Sequence, residues 1–155
     1  MRKRIYSPAT QDTLAPDQKW LELERLAQVE ISSEDPAYPI ESALLAGEQS
    51  GWRAEQPGEQ IIRFIFDEPH PLRRIWLLFI ENEQERTQEF LLRWSPDGGE
   101  TFREIVRQQW NFSPPSREVE DYRVNISGAT VLELRIVPDI KGGEARASLA
   151  RMRLA

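Results

Sequence analysis

The sequence predicts an all-β protein, an antiparallel sandwich of about eight strands with one short helix in its first long connection. Three observations carry this. Phe90, Leu92 and Trp94 alternate with Leu91, Arg93 and Ser95, then Pro96-Asp97-Gly98-Gly99 turns the chain before Phe102, Ile105 and Val106. Strands joined by so tight a turn are antiparallel, and the turn residues supply a fixed φ and left-handed freedom. Two further segments alternate in the same way: Tyr122, Val124 and Ile126, then Leu132, Leu134 and Ile136. From Ile61 onward, Pro, Gly and Ser clusters punctuate such runs at the spacing of a sandwich or barrel.

Residues 1–16 lack periodicity and carry Ser7-Pro8 and Ala15-Pro16, which reads as an extended, loosely attached arm; residues 17–155 form the domain. Between Trp20 and Ile31 the pattern is mixed. Leu21, Leu23 and Leu26 suit a helix, while Ala27, Val29 and Ile31 alternate with Gln28 and Glu30, so a strand ending near Ile31 is favoured. In the long connection Ser32 to Glu59, Pro39 opens a short helix through Ile40, Leu44 and Leu45, and Gly47 stops it. Ile61 to Phe66 is a strand, and Glu68-Pro69-His70-Pro71 breaks it. Leu72 to Ile80 is apolar on both faces and is expected to be a central strand covered on both sides. Glu81 to Gln88 is a polar loop, and Gln108 to Arg117 is another, holding Trp110, Asn111, Phe112, Pro114 and Pro115. Pro138 to Glu144 is a loop, and Ala150, Met152 and Leu154 form the last strand.

The chain has 155 residues, enough for one domain with a sizeable core. No apolar run approaches the ~20 residues of a membrane span. Met1-Arg2-Lys3-Arg4 is basic, but no hydrophobic segment follows it as in a secretory signal. There is no cysteine, which removes disulfides and thiolate metal sites and favours a cytoplasmic home. The formal charge of −6 argues against non-specific binding to nucleic acid.

The connections fall into two sets. Asp67 to Pro71, Pro96 to Gly99 and Ser127 to Ala129 are short; Ser32 to Glu59, Glu81 to Gln88, Gln109 to Arg117 and Pro138 to Glu144 are long. The sets interleave strictly. If consecutive strands reverse direction, the long connections gather at one end of the sandwich, where binding function tends to sit.

From about Glu30 to Leu154 the chain resembles the discoidin, or coagulation-factor C-type, domains of the galactose-binding-like superfamily. The resemblance lies in Gly51-Trp52-Arg53-Ala54 before the second strand, Ile61 to Glu68 with Asp67 ending the strand, Leu72 to Leu78, the hairpin Phe90 to Phe102, and the closing Ser148 to Met152. The two bridging cysteines of many secreted members are missing, so the chain is more similar to an intracellular or bacterial branch. The resemblance implies a jelly-roll sandwich and a carbohydrate or similar polar ligand. Ser95 to Phe102 also fits the Asp-box turn of sialidase-like propellers, where Asp and Thr side chains bond backbone. One copy in a chain this short makes no propeller, but Asp97 is expected to cap the turn amides.

No nucleophile elbow, phosphate loop or His-Glu-x-x-His pattern occurs. The only histidine, His70, sits between two prolines and reads as a surface turn residue. Glu83, Glu85, Asp139 and Glu144 are loop acids, and solvation is the default for them. Candidate ligand-binding residues are Trp52 and Arg53 in the first long connection, Trp110, Asn111, Phe112 and Arg117 in the third, and Arg86 in the second. Aromatic faces stack on sugar rings, Asn orients them, and Arg86 with Arg117 can clamp an anion. The competing reading for Trp52 is a plug in the open end of the sandwich. For Trp110 and Phe112 it is packing of the loop. Glu34 and Asp35 open the first connection, where some members of the superfamily hold a structural calcium; no other cofactor is expected. The function favoured is non-catalytic recognition of a carbohydrate or similar polar ligand through the long loops. The alternative is a protein-interaction or scaffold domain in a cytosolic complex.

Overall fold

A computed structural model describes residues 1–3, 15–47 and 50–155. Most of the expected arm, residues 4–14, lies outside the described residues. A single helical turn, α1 (Leu23–Leu26), leads directly into β1 (Ala27–Ile31), so each half of the mixed pattern takes the structure its own periodicity favours. The expected short helix is α2 (Glu41–Leu44). Then come β2 (Trp52–Pro57), β3 (Gln60–Glu81), β4 (Arg86–Ser95), β5 (Arg103–Phe112), β6 (Ser116–Val137), β7 (Arg146–Leu149) and β8 (Arg151–Leu154).

All pairings are antiparallel. One sheet runs β1-β3-β6-β4-β5, with β8 also on β3, and β2 pairs with β7. The two 22-residue strands, β3 and β6, serve both layers of the sandwich. The first part of β3 pairs with β1 through Ile62 to Phe66, and the second part pairs with β8 through Ile75 to Leu78. β6 accompanies both parts. One layer is therefore β1, early β3, late β6, β4 and β5. The other is β2, β7–β8, late β3 and early β6.

This corrects two expected turns. Asp67 to Pro71 and Ser127 to Ala129 do not separate strands; they are corners within β3 and β6. The register slips between Ile65, His70, Leu72 and Arg74, but His70 still pairs with Ala129. Pro69 and Pro71 lack the amide a regular ladder needs, so the ladder breaks locally. The facing corners keep the chain extended as it passes from one layer to the other.

Between the layers lie Ile62, Phe64 and Phe66, Phe90 and Leu92, Leu132, Leu134 and Ile136, against Leu72, Ile75, Leu77, Phe79, Met152 and Leu154. Burying each such side chain stabilises the fold by about 1.5–3 kcal/mol relative to exposure. Trp76 and Leu78 are also buried. They alternate with the core residues of β3, so this strand is covered on both faces, as its unbroken apolar run predicts. The hairpin turn behaves as expected: the Asp97 carboxylate accepts from the Thr101 amide at 2.8 Å and from the Ser95 hydroxyl at 2.7 Å. His70 stacks on Phe66, 5.8 Å between ring centres.

Candidate functional site

The long connections are shorter than the sequence suggests. The second shrinks to residues 82–85 because β4 begins at Arg86, and the third to residues 113–115 because β5 runs to Phe112. The second, third and fourth still meet at one end, because Arg86 opens β4 opposite Phe112, the last residue of β5. Arg86 donates to the Pro138 carbonyl at 2.8 Å, Ile140 donates its amide to the Thr87 carbonyl at 2.9 Å, and the Thr87 hydroxyl reaches Asn111 at 2.6 Å. The first connection joins them through Arg53 and Glu83, 3.6 Å apart.

Residues 82–85 form a wall with a hollow on each side. The first hollow has a volume of about 350 Å³. Leu78, Ile80 and Ala150 give it an apolar floor; Ser50, Asn82, Glu83, Ser148 and Arg151 supply polar groups around it, and Tyr38 and Arg53 complete it. The Arg53 guanidinium lies over the Tyr38 ring, 5.9 Å from its centre, a cation–π contact that orients both groups. The backbone holds this pair in place. The Arg53 amide donates to the Tyr38 carbonyl at 3.1 Å, and the Asp35 amide donates to the Arg53 carbonyl at 2.8 Å. Gly51 lets the first connection approach β7: a Cβ there would lie 2.8 Å from the Leu149 carbonyl oxygen.

The second hollow, about 380 Å³, is lined by Glu85, Arg86, Thr87, Asn111, Asp139 and Lys141. One buried ion pair pins the wall between the two hollows. Arg86 Nε donates to Glu81 at 2.6 Å, and the side chains are 1% and 9% exposed. Burial alone would raise the Glu81 pKa, but hydrogen bonds from Arg86 and the Glu83 amide overturn this and hold it below the ordinary carboxylate range.

The expected residues separate into groups. Arg53 lines the first hollow. Trp52 also borders it, but only 1% of the residue is exposed and its indole N–H donates to the Ser33 carbonyl at 3.1 Å, the geometry of a plug. Arg86 is no open clamp: its side chain is 1% exposed, its Nε donates to Glu81 and its Nη1 to Gln88 and Pro138, and it covers the ring of Phe112, 4.7 Å away. Phe112 is fully buried. Trp110 and Asn111 lie on a strand rather than a loop, so their side chains leave opposite faces. Asn111 lines the second hollow, whereas Trp110, 41% exposed, lines neither. Arg117 is exposed at the start of β6, directly across from Ile80. The carboxylates of Glu34 and Asp35 accept from the amides of Ile40 and Ala37, and among the described residues no group of three acids or histidines gathers that would hold a metal. Sequence reasoning missed Tyr38 and Ser148. The signal for Tyr38 was an aromatic between Pro36 and Pro39 in a long connection; Ser148 gave none.

No family model matches the chain, and no curated protein sequence matches it. Solved structures do. CpGH89CBM32-5 of Clostridium perfringens, in complex with GalNAc-β-1,3-galactose, is 19% identical with a TM-score of 0.65, over 88% of this chain and 99% of that one. A pectin-binding carbohydrate-binding module is 15% identical with a TM-score of 0.62, over 83% and 89%. The family 32 module of C. perfringens NanJ, in complex with galactose, is 14% identical with a TM-score of 0.60, over 83% and 92%. The likeness shows a discoidin-like fold, a jelly-roll sandwich shared with carbohydrate-binding modules. An allantoicase also matches, at 17% identity and a TM-score of 0.57, with 39% of its chain covered; the fold alone therefore does not decide function. No helix among the described residues is long and apolar enough to cross a membrane.

Proposed function

We propose that this chain is a non-catalytic carbohydrate-binding module whose ligand occupies the hollow between the first and second long connections. The observation that carries this reading is the Tyr38–Arg53 stack beside the Leu78–Ile80 floor, ringed by hydroxyl, amide and carboxylate groups. A sugar ring has an apolar C–H face and a polar edge. The floor and the phenol ring suit the first; Arg53, Asn82, Glu83 and Ser148 suit the second. The volume falls in the range of small-ligand pockets, about 300–1,000 Å³. The carbohydrate-binding modules among the structural neighbours support the same ligand class.

Titration calorimetry with galactose, GalNAc-β-1,3-galactose and a galacturonate oligomer tests the reading. Binding should occur without cleavage of the sugar, and Tyr38→Ala and Arg53→Ala should each weaken it by about tenfold, on the order of 1.4 kcal/mol. If no sugar gives heat, and none shifts an amide resonance lining the hollow, the reading falls.

One observation favours the interaction-module alternative. Trp110 is exposed on β5, the edge strand of its sheet, and exposed aromatics on a sheet edge are common anchors for partners. A pull-down from the native host with wild type and Trp110→Ala distinguishes it: a partner lost with that change, with sugar binding absent, would replace the carbohydrate reading.

A further inference from the structure

We propose that the open edge of β5 takes up an extended segment of a protein partner as an added strand, and that a lysine or arginine of that segment lies between Trp110 and the buried Glu120. This site is separate from the hollow proposed for sugar, so it stands whether or not that hollow binds one.

The edge itself is open. β5 pairs with β4 on one side only, and among the described residues no backbone hydrogen bond meets its other side. Proteins usually blunt such an edge with a short strand, proline, lysine or a bulge. β1, at the other end of the same sheet, is five residues long. β5 has ten, with no proline, glycine or lysine, and its one register shift lies near its start, opposite Leu92 and Arg93.

The face beside that edge suits a cation. Phe90 and Leu92 belong to the core, so their partners Gln108 and Val106 share that inward face, as does Trp110 two residues on. In the other layer, the core residues Ile75 and Leu77 set their partners Tyr122 and Glu120 on the inward face. The Tyr122 hydroxyl donates to Glu120 Oε2 at 2.5 Å, and the Gln108 side chain bonds the same hydroxyl from β5. From that contact both strands run toward the connection 113–115. Two residues along each, Trp110 stands across from Glu120.

Glu120 lacks the partner that its kind has elsewhere. Among the described residues the buried glutamates are Glu81, Glu120 and Glu133. Arg86 meets Glu81, and Arg63, Arg93 and Arg135 meet Glu133. No described arginine or lysine meets Glu120, although it is only 8% exposed. Its Oε1 accepts no hydrogen bond from a described residue, yet no unpartnered side-chain oxygen there is cut off from water, so Oε1 opens to solvent. Buried charges are ordinarily paired, and a cation arriving at this opening supplies the pairing that Glu120 lacks. Trp110, 41% exposed, adds an aromatic ring beside it.

Edge and face together select the occupant. A strand added to β5 turns alternate side chains to the inward face opposite Gln108 and Trp110, with Cβ atoms about 4.5–5.5 Å apart. A lysine or arginine at such a position reaches the opening at Glu120 while main-chain bonds hold the segment. A second copy of β5 would bring Val106, Gln108 and Trp110 to that face, none of them cationic. The net charge of −6 also favours a basic partner.

The experiment titrates the whole chain with an alternating threonine–lysine peptide of about eight residues, a common strand length, and follows amide shifts. Expected are shifts along β5 and none in the sugar hollow. Affinity should fall at least about fivefold in Trp110→Ala and in Glu120→Gln, whose dispersed spectra would show them folded. Methylating alternate amides of the peptide should cost about tenfold, because it removes main-chain donors. Equal binding of the methylated peptide overturns strand addition. Equal binding of a peptide with the same composition but its lysines in one block, or unchanged affinity in Glu120→Gln, overturns the cation site in favour of diffuse attraction. If the β5 amides shift when the protein alone is concentrated, the occupant is a second copy and the proposal falls. It falls equally if no peptide shifts β5.

Discussion

Glu81 and Arg86 close residues 82–85 into a loop whose ends are joined by a buried ion pair 2.6 Å long. The loop is the wall between the two hollows, so its stiffness sets the shape of both. Arg86 adds bonds to Gln88 and Pro138 and covers Phe112, and it thereby ties the second, third and fourth connections to one guanidinium. It thereby positions the groups around both hollows.

Arg86→Met should therefore cost more than its own hydrogen bonds. It strands the Glu81 carboxylate in a buried site, and losing one partner of such a pair costs about 3–5 kcal/mol. Glu81→Gln together with Arg86→Met should cost distinctly less than Arg86→Met alone. Urea midpoints for the two single variants and the double variant measure the difference. Equal losses from the single and the double change would show that the pair does not act as a unit.

Glu133 should impose a pH dependence on stability. It lies fully buried on the outer face of the first layer, among arginines that define a charge-alternating row across five strands: Glu30, Arg63, Glu133, Arg93 and Glu104 are successive cross-strand neighbours. Arg63 donates to Glu133 at 2.6 Å, Arg93 at 2.8 Å and Arg135 at 2.6 Å. Burial would raise the Glu133 pKa, but the three arginines bring it down to about 2 from an ordinary 4.5. A depressed folded pKa stabilises the protein above the unfolded value and is lost as pH falls through the folded one. Glu133 should therefore contribute on the order of 3 kcal/mol at neutral pH, lost between about pH 4.5 and 2. Glu133→Gln should be less stable than wild type at pH 7 and should converge on it near pH 2. Parallel curves from denaturant unfolding across that window would contradict this.

Gly51 should be irreplaceable for a steric reason. Its φ is +82°, and a Cβ would also meet the Ala150 Cα at 2.9 Å. Both contacts are backbone, which cannot swing aside, and the left-handed φ adds strain for any other residue. Gly51→Ala should lower the thermal midpoint and weaken sugar binding together, because the floor residue Ala150 and the first connection would have to separate. A variant with native midpoint and native affinity would show that the close approach does not shape the hollow.

Much of this architecture is written locally. Pro96 to Gly99 dictates its turn through residues adjacent in sequence, and the alternation of Leu132, Leu134 and Ile136 declares a half-buried strand without reference to its neighbours. The corners at Pro69 and Gly128 are different. Two prolines read as a break, and only the partner strand, through His70 and Ala129, keeps the ladder going. The site follows the same division. Trp52 as a plug was foreseeable from an aromatic beside a strand start. Arg86 as a buried strut was not, since Glu81, Pro138 and Phe112 reach it from three separate elements. Tyr38 became part of a site only when β2 brought Arg53 over its ring.

Asp97 supplies a control for the location of function. Its turn and the 82–85 loop lie at opposite ends of β4 (Arg86–Ser95). Its carboxylate accepts from the Thr101 hydroxyl at 2.5 Å as well as from the Thr101 amide and the Ser95 hydroxyl. The hydrogen bond from the Thr101 hydroxyl, then that from Ser95, then that from the Thr101 amide hold its pKa at about 2. The turn is further tied to β6, because the Gly98 amide donates to the Thr130 hydroxyl at 2.8 Å. Asp97→Ala should loosen the hairpin and lower the thermal midpoint by a few degrees, while sugar affinity stays within about twofold of wild type. Binding lost along with the midpoint would place the ligand at the hairpin end, against the convergence of the long connections at the other.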